Sequence, residues 1–156
     1  MILQKVGEKM ADVGDILTKV TDMLQDTFNI EVIDKDIEED IPRPAFVIDT
    51  DEITKDKLGL MDHISFRLHV YYLAPSIYSG FADLYGVLDD LMALFDGRIK
   101  INDTFNFTLE EQQGTIYRAD MAVEFVGLVD IVNPYIEDAE GVDMLDLDVE
   151  LNKEGE

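Results

Sequence analysis

The sequence predicts an α+β fold: a mainly antiparallel β-sheet with a long C-terminal hairpin, covered by two amphipathic helices. Three observations predict it. Apolar residues recur at helical spacing over 12–28 and again over about 79–96. Residues 63–74 alternate strictly between apolar and polar side chains, and further alternating stretches follow the second helix.

In the first helix, Val13, Ile16, Leu17, Val20, Leu24 and Phe28 form one stripe. Asp12 and Asp15 stand where acids favour a helix N-terminus, and Asn29 marks the end. Two short strand candidates come next, Ile30-Glu31-Val32-Ile33 and Ala45-Phe46-Val47-Ile48-Asp49. Between them, the acidic run from Asp34 to Ile41 ends in Pro42-Arg43-Pro44 and reads as a loop, because proline fixes φ and donates no hydrogen bond. Residues 50–62 are polar, contain Gly59 and read as a flexible connection.

Ile64, Phe66, Leu68, Val70 and Tyr72 alternate with His63, Ser65, Arg67, His69 and Tyr71, the pattern of a strand with one covered face. The second helix places Phe81, Leu84, Tyr85, Leu88, Leu91, Met92 and Phe95 on its buried stripe and stops at Asp96-Gly97. A short strand is expected at 98–101. Thr104–Glu110 and Ile116–Ile131 then form the long hairpin, turning at Gln112-Gln113-Gly114, with Tyr117, Ala119, Met121, Val123, Phe125, Val129 and Ile131 on one face.

Residues 1–132 read as one folded domain and 133–156 as an acidic C-terminal extension. Within the extension Leu145, Leu147, Val149 and Leu151 alternate with Asp146, Asp148 and Glu150. That segment can pair with its own sheet, add to the sheet edge of a neighbour, or remain a frayed terminus.

The charge narrows the function classes. Thirty-five acids against twelve bases give −23 over 156 residues. A field of that sign repels phosphate backbones and anionic membranes, so it disfavours DNA binding yet suits a wall that DNA passes without sticking. A plain solubility surface or adaptation to salt explains the same number. There is no cysteine, which excludes disulfides, thiolate metal sites and a cysteine nucleophile. No apolar run approaches the roughly 20 residues of a membrane span. Met1–Glu8 lacks the apolar segment of a secretory signal, so the expectation is a soluble protein that stays where it is made.

No chemistry emerges from the motifs. Neither phosphate-binding glycine loop is present, and there is no H-E-x-x-H or G-x-S-x-G. His63 and His69, six apart on one strand face, lie about 20 Å from one another at ~3.3 Å per residue and cannot share a metal. Asp34-Lys35-Asp36-Ile37-Glu38 opens like a calcium loop, but Glu39 replaces the glycine at its sixth position and Ala45 the acid at its twelfth. Asp89 and Asp90 point to different helix faces. No catalytic residue, cofactor or metal is expected.

Four stretches carry a family resemblance: the opening helix leading into Ile30-Glu31-Val32-Ile33; Pro42-Arg43-Pro44-Ala45-Phe46-Val47-Ile48; Ile64-Ser65-Phe66-Arg67-Leu68-His69-Val70-Tyr71-Tyr72 with the helix after it; and Tyr117-Arg118-Ala119-Asp120-Met121-Ala122-Val123-Glu124-Phe125. In order and type they resemble the tail terminator proteins of tailed phages and related prophages, over about residues 12–132. The resemblance implies a structural protein, not an enzyme, forming a ring that is commonly hexameric. Such a ring caps the tail tube, ends its polymerisation and faces the head–tail connector, at the head-proximal end of the virion tail after assembly in the host bacterial cytoplasm. Its partners are its own copies, the tube protein and the connector, and DNA passes the lumen without specific binding.

The residues expected at interfaces lie in the charged segments between strands and in the tail: Asp36, Glu38, Glu39, Asp40 and Arg43; Asp51, Glu52, Lys55 and Lys57; and Leu145, Leu147, Val149 and Leu151. Alternative functions are another head–tail connector or completion protein, an acidic DNA mimic that inhibits a DNA-binding enzyme, and a small enzyme whose site leaves no sequence motif.

Overall fold

Helix α1 (Val13–Phe28) begins where two carboxylates close a reciprocal cap. The Asp15 N–H donates to Asp12 Oδ1 at 2.8 Å and the Asp12 N–H to Asp15 Oδ2 at 3.2 Å. It ends at Asn29 in the left-handed conformation (φ 56°), whose N–H donates to Gln25 O. Ile16, Val20 and Leu24 are its buried residues. Replacing Asp12 with alanine removes the cap acceptor and is expected to cost about 1 kcal/mol, read as a lower midpoint in thermal unfolding.

The computed structural model describes residues 11–33, 40–76 and 80–134. After α1 come β1 (Val32–Ile33), β2 (Ala45–Leu58), β3 (Met61–Leu73), α2 (Phe81–Leu94), β4 (Arg98–Lys100), β5 (Asn106–Tyr117) and β6 (Ala122–Pro134). The strands form one six-stranded sheet in the order β1-β2-β3-β6-β5-β4. Only β1 and β2 pair in parallel. The fold is therefore α+β with a mostly antiparallel sheet.

Three local expectations are corrected. Residues 50–62 are not a flexible connection, because β2 continues to Leu58 and pairs with β3 up to Leu58↔Met61. Gly59, with φ +65°, and Leu60 make a two-residue turn with glycine first, as tight hairpins prefer. The polar composition reflects an exposed strand rather than a loop.

The second correction concerns the late hairpin. Gln112-Gln113-Gly114 lies inside β5, and the chain reverses at Arg118–Met121 instead. Glu111 takes φ 52° where the β5–β6 register shifts between Glu110 and Gln113, a bulge that absorbs an extra residue. Gly114 is needed for close approach: a Cβ there would lie 2.5 Å from the Leu88 methyls of α2.

Third, the buried stripe of α2 is Leu84, Val87 and Leu91, continued by Phe95. Phe81 and Tyr85 stay exposed, as do Ala119 and Tyr117 near the β5–β6 turn. Spacings of three, four and four select that stripe, and Phe81 and Tyr85 fall to its side. The Arg118 guanidinium sits 5.0 Å from the centroid of the Phe81 ring.

The alternation of β3 appears directly in its burial. Ile64, Phe66, Leu68, Val70 and Tyr72 are buried in one cluster with Ile16, Val20 and Leu24 of α1, Leu84, Val87 and Leu91 of α2, and Val123, Phe125, Val129 and Ile131 of β6. A small second cluster joins Ile41, Ala45, Val47, Leu73 and Ala122. Those positions alternate with the main-core residues, so the chain before β2 covers one end of the other sheet face.

Candidate functional site

That other face is where the polar chemistry gathers. On β3 the outward residues His63, Arg67 and His69 each meet carboxylates from neighbouring strands. His69 Nδ1 lies 2.7 Å from Glu124 Oε2 on β6, and its Nε2 lies 3.0 Å from Asp51 Oδ2 on β2. His63 contacts Asp130 on β6 and stands 3.6 Å from Asp56 on β2. Arg67 Nε donates to Glu52 Oε1 at 3.1 Å. The two histidines thus tie β2 to β6 across the central strand, at two separate heights.

Glu124 is the hub of the upper group. It accepts from Tyr117 OH at 2.7 Å and Tyr71 OH at 3.1 Å as well as facing His69, whose ring stacks on Tyr71 with centroids 6.1 Å apart. Burial alone would raise its pKa, but the hydrogen bonds from Tyr117, His69 and Tyr71 outweigh it and hold the carboxyl below the usual range. Burial, with Glu124 beside it, pushes the Tyr71 hydroxyl far up, and burial with Asp83 pushes Tyr72 up to about 12.

The signs give two limbs of a pH profile. Glu124 binds its proton less readily when folded, so its contribution is present above the usual carboxylate pKa and is lost as pH falls through the folded value. Tyr72 binds its proton more tightly when folded, so its contribution is present below 10 and is lost between 10 and about 12. Stability measured by denaturant is expected to decline on both sides. Glu124→Gln is expected to flatten the acid limb, and an unchanged acid limb would show that Glu124 does not set it.

The residues expected at interfaces separate into three groups. Asp36, Glu38, Glu39, Leu145, Leu147, Val149 and Leu151 lie outside the described residues. Arg43 turns inward: its guanidinium donates to the carbonyls of Ala74 at 3.2 Å, Met121 at 3.4 Å and Asp120 at 2.9 Å, clamping the chain before β2 to the end of β3 and the β5–β6 turn. Asp40 is exposed. Asp51, Glu52, Lys55 and Lys57 all lie on β2, a strand rather than a loop, but Asp51 faces the histidine side while Lys55 and Lys57 do not.

Lys55 and Lys57 face the main-core side, with their ammonium groups 3.9 and 3.7 Å from the buried Asp62 carboxylate. Around this end of the sheet Ile53, Leu60, Met61 and Val132 are exposed. The β2 edge opposite β3 meets β1 only at Phe46 and Val47. The sequence placed the histidines on a polar face but did not find their partners. A signal for them existed, since Asp51, Asp56, Glu124 and Asp130 all fall on outward positions of their strands.

Among the described residues no group of three or more histidines and acids is placed to hold a metal ion. No described helix is long and apolar enough to cross a membrane. What the described residues offer is an internally paired face, a strand edge with no described strand beside most of it, and a hairpin end with exposed apolar side chains.

A family model for phage tail terminator proteins matches residues 15–125, from the first turn of α1 into the start of β6. The chain belongs to the phage tail terminator family. It is thereby a structural component of a phage tail, and the family is not an enzymatic one. No curated protein matches the chain. The matched span contains all but the first two residues of α1, the whole of α2, the Arg43 clamp, the β2–β3 hairpin and the Glu124 hub of this terminator.

Proposed function

We propose that this terminator caps the head-proximal end of the tail tube as a ring, commonly of six subunits, ends tube polymerisation and forms the surface for head–tail joining. Membership of the family is the observation that carries this reading. The open β2 edge and the exposed Leu60–Met61 turn supply surfaces for neighbour and tube contact. Net charge of −23 fits a lumen that DNA traverses without adhering. Asp51, Glu52, Asp56, Glu124 and Asp130 are engaged by histidine, arginine or tyrosine side chains of the same fold, which favours assembly over mimicry of a phosphate row.

The test is removal of the gene from the phage. Tails of uncontrolled length, or tails that fail to join heads, are expected under the electron microscope, with rescue by the supplied protein. Tails of normal length joined to heads would overturn the reading.

A further inference from the structure

The strand β2 has a partner along its whole length on one side and almost none on the other. β3 pairs with it from Ala45 to Leu58, whereas β1 reaches only Phe46 and Val47. From Ile48 to Leu58 the far edge has no strand beside it among the described residues. A bulge at Glu52 (φ 55°, register shift between Asp51 and Thr54) divides that edge. The distal part, Thr54–Leu58, is an unbroken ladder template of five residues.

Its charge is unusual for this chain. Lys55 and Lys57 stand two residues apart on one face, with side chains 63% and 58% exposed, beside Asp62. Thr54 and Asp56 occupy the other face. A matching pattern exists in the C-terminal segment, which lies outside the described residues: Asp146 and Asp148 are two apart on one face of an alternating stretch, and Leu145, Leu147 and Val149 are on the other.

We infer that residues 144–151 of one copy add as an antiparallel strand to the Thr54–Leu58 edge of the next copy in the ring. The inference rests on the ring reading above and names its subunit contact. Antiparallel pairing is the stronger arrangement per residue. Charge then selects the register: Asp146 opposite Lys57, Asp148 opposite Lys55 and Val149 opposite Thr54. Shifting by one residue would put the acids beside Asp56, and like charges directly opposite are destabilising.

The chain reaches this position readily. β6 ends at Pro134 opposite Met61, at the hairpin end of the sheet. Residues 135–143 then supply nine residues, with a span of up to about 30 Å. They include Glu137, Asp138, Glu140 and Asp143 and no base, a composition whose like charges favour an extended linker. A donor segment and an acceptor edge on every subunit form a head-to-tail contact that repeats and closes in a ring.

Because the chain has no cysteine, cross-linking is free of background. Full-length T54C and V149C proteins are mixed, assembled on tail tubes and oxidised. A cross-linked dimer is expected, at least about fivefold more abundant than with T54C and D148C, whose cysteine faces the other way. In parallel, Lys55→Glu is expected to weaken ring assembly roughly fivefold, with recovery when Asp148→Lys is combined with it. No dimer from rings that do assemble would overturn the inference. So would a T54C/V149C chain that closes on itself as a monomer, or preferential cross-linking of T54C to L145C, the parallel register. A chain lacking 141–156 that still caps tubes at normal length would overturn it while leaving the ring reading intact. Failure of the unaltered chain to ring or to limit tube length would instead sink the ring reading itself.

Discussion

Phe125→Ala is expected to lose about 3–5 kcal/mol of folding stability, the range for emptying a fully buried aromatic site. Phe125 is the fourth residue of β6, opposite Val70 of β3, and its ring stacks on Phe95 with centroids 5.5 Å apart. Three elements meet there: the end of α2 and the neighbouring strands β3 and β6 of the sheet. The cavity cannot collapse easily, because β6 is held by β3 on one side and β5 on the other. Urea unfolding monitored by circular dichroism would measure the loss. Leu60→Ser, at an exposed turn, serves as the contrast and is expected to stay within about 0.5 kcal/mol. A loss below about 1 kcal/mol for Phe125→Ala would mean that the core described here is not the cooperative core.

Arg43→Ala is expected to cost about 1–3 kcal/mol, a large effect for a side chain that is only half-buried. Three carbonyls converge on the guanidinium, from Ala74, Asp120 and Met121. Ala74 is fully buried, so its carbonyl has little recourse to water once the guanidinium is gone, although it belongs to a residue whose own N–H is paired with Met121 O. The clamp also holds Ile41 against the small cluster of Ala45, Val47, Leu73 and Ala122. Arg43→Lys is expected to recover only part of the loss, because an ammonium cannot reproduce the planar fork that reaches three acceptors. Equal stability of the lysine and wild-type proteins would show that charge, not geometry, is what matters at this position.

These two residues mark how far the sequence could be read. Phe125 was legible, since alternation from Val123 to Ile131 put it on an apolar face. For Arg43 the sequence offers only a place in a long, charged segment between strands, the ground for expecting it at an interface, and says nothing of the carbonyls it meets. Its acceptors lie 31 and 77–78 residues away in sequence, and no local pattern announces such a contact. The same separation hid the histidine network, whose partners are 18 and 55 residues from His69. Gly114 shows the reverse error: as part of Gln112-Gln113-Gly114 it signals a turn, yet it lies within β5 and makes room for Leu88, whereas Gly59 does stand in the turn between β2 and β3.

The sequence by itself determined the elements and their inward faces: two helices set by spacing and caps, and strands set by alternation. Those are local properties, because periodicity and capping act over a few residues. It also carried enough ordered pattern to point to the family that the chain belongs to. Only the tertiary structure decided the strand order, the length of β2, the inward turn of Arg43 and the pairing of His63 and His69 with acids from both neighbouring strands. Each depends on which distant segments become neighbours, and burial of the shared core makes that choice. The far edge of β2 arises the same way: β1 pairs with only two of its residues, and among the described residues no other strand lies beside the stretch that carries Lys55 and Lys57.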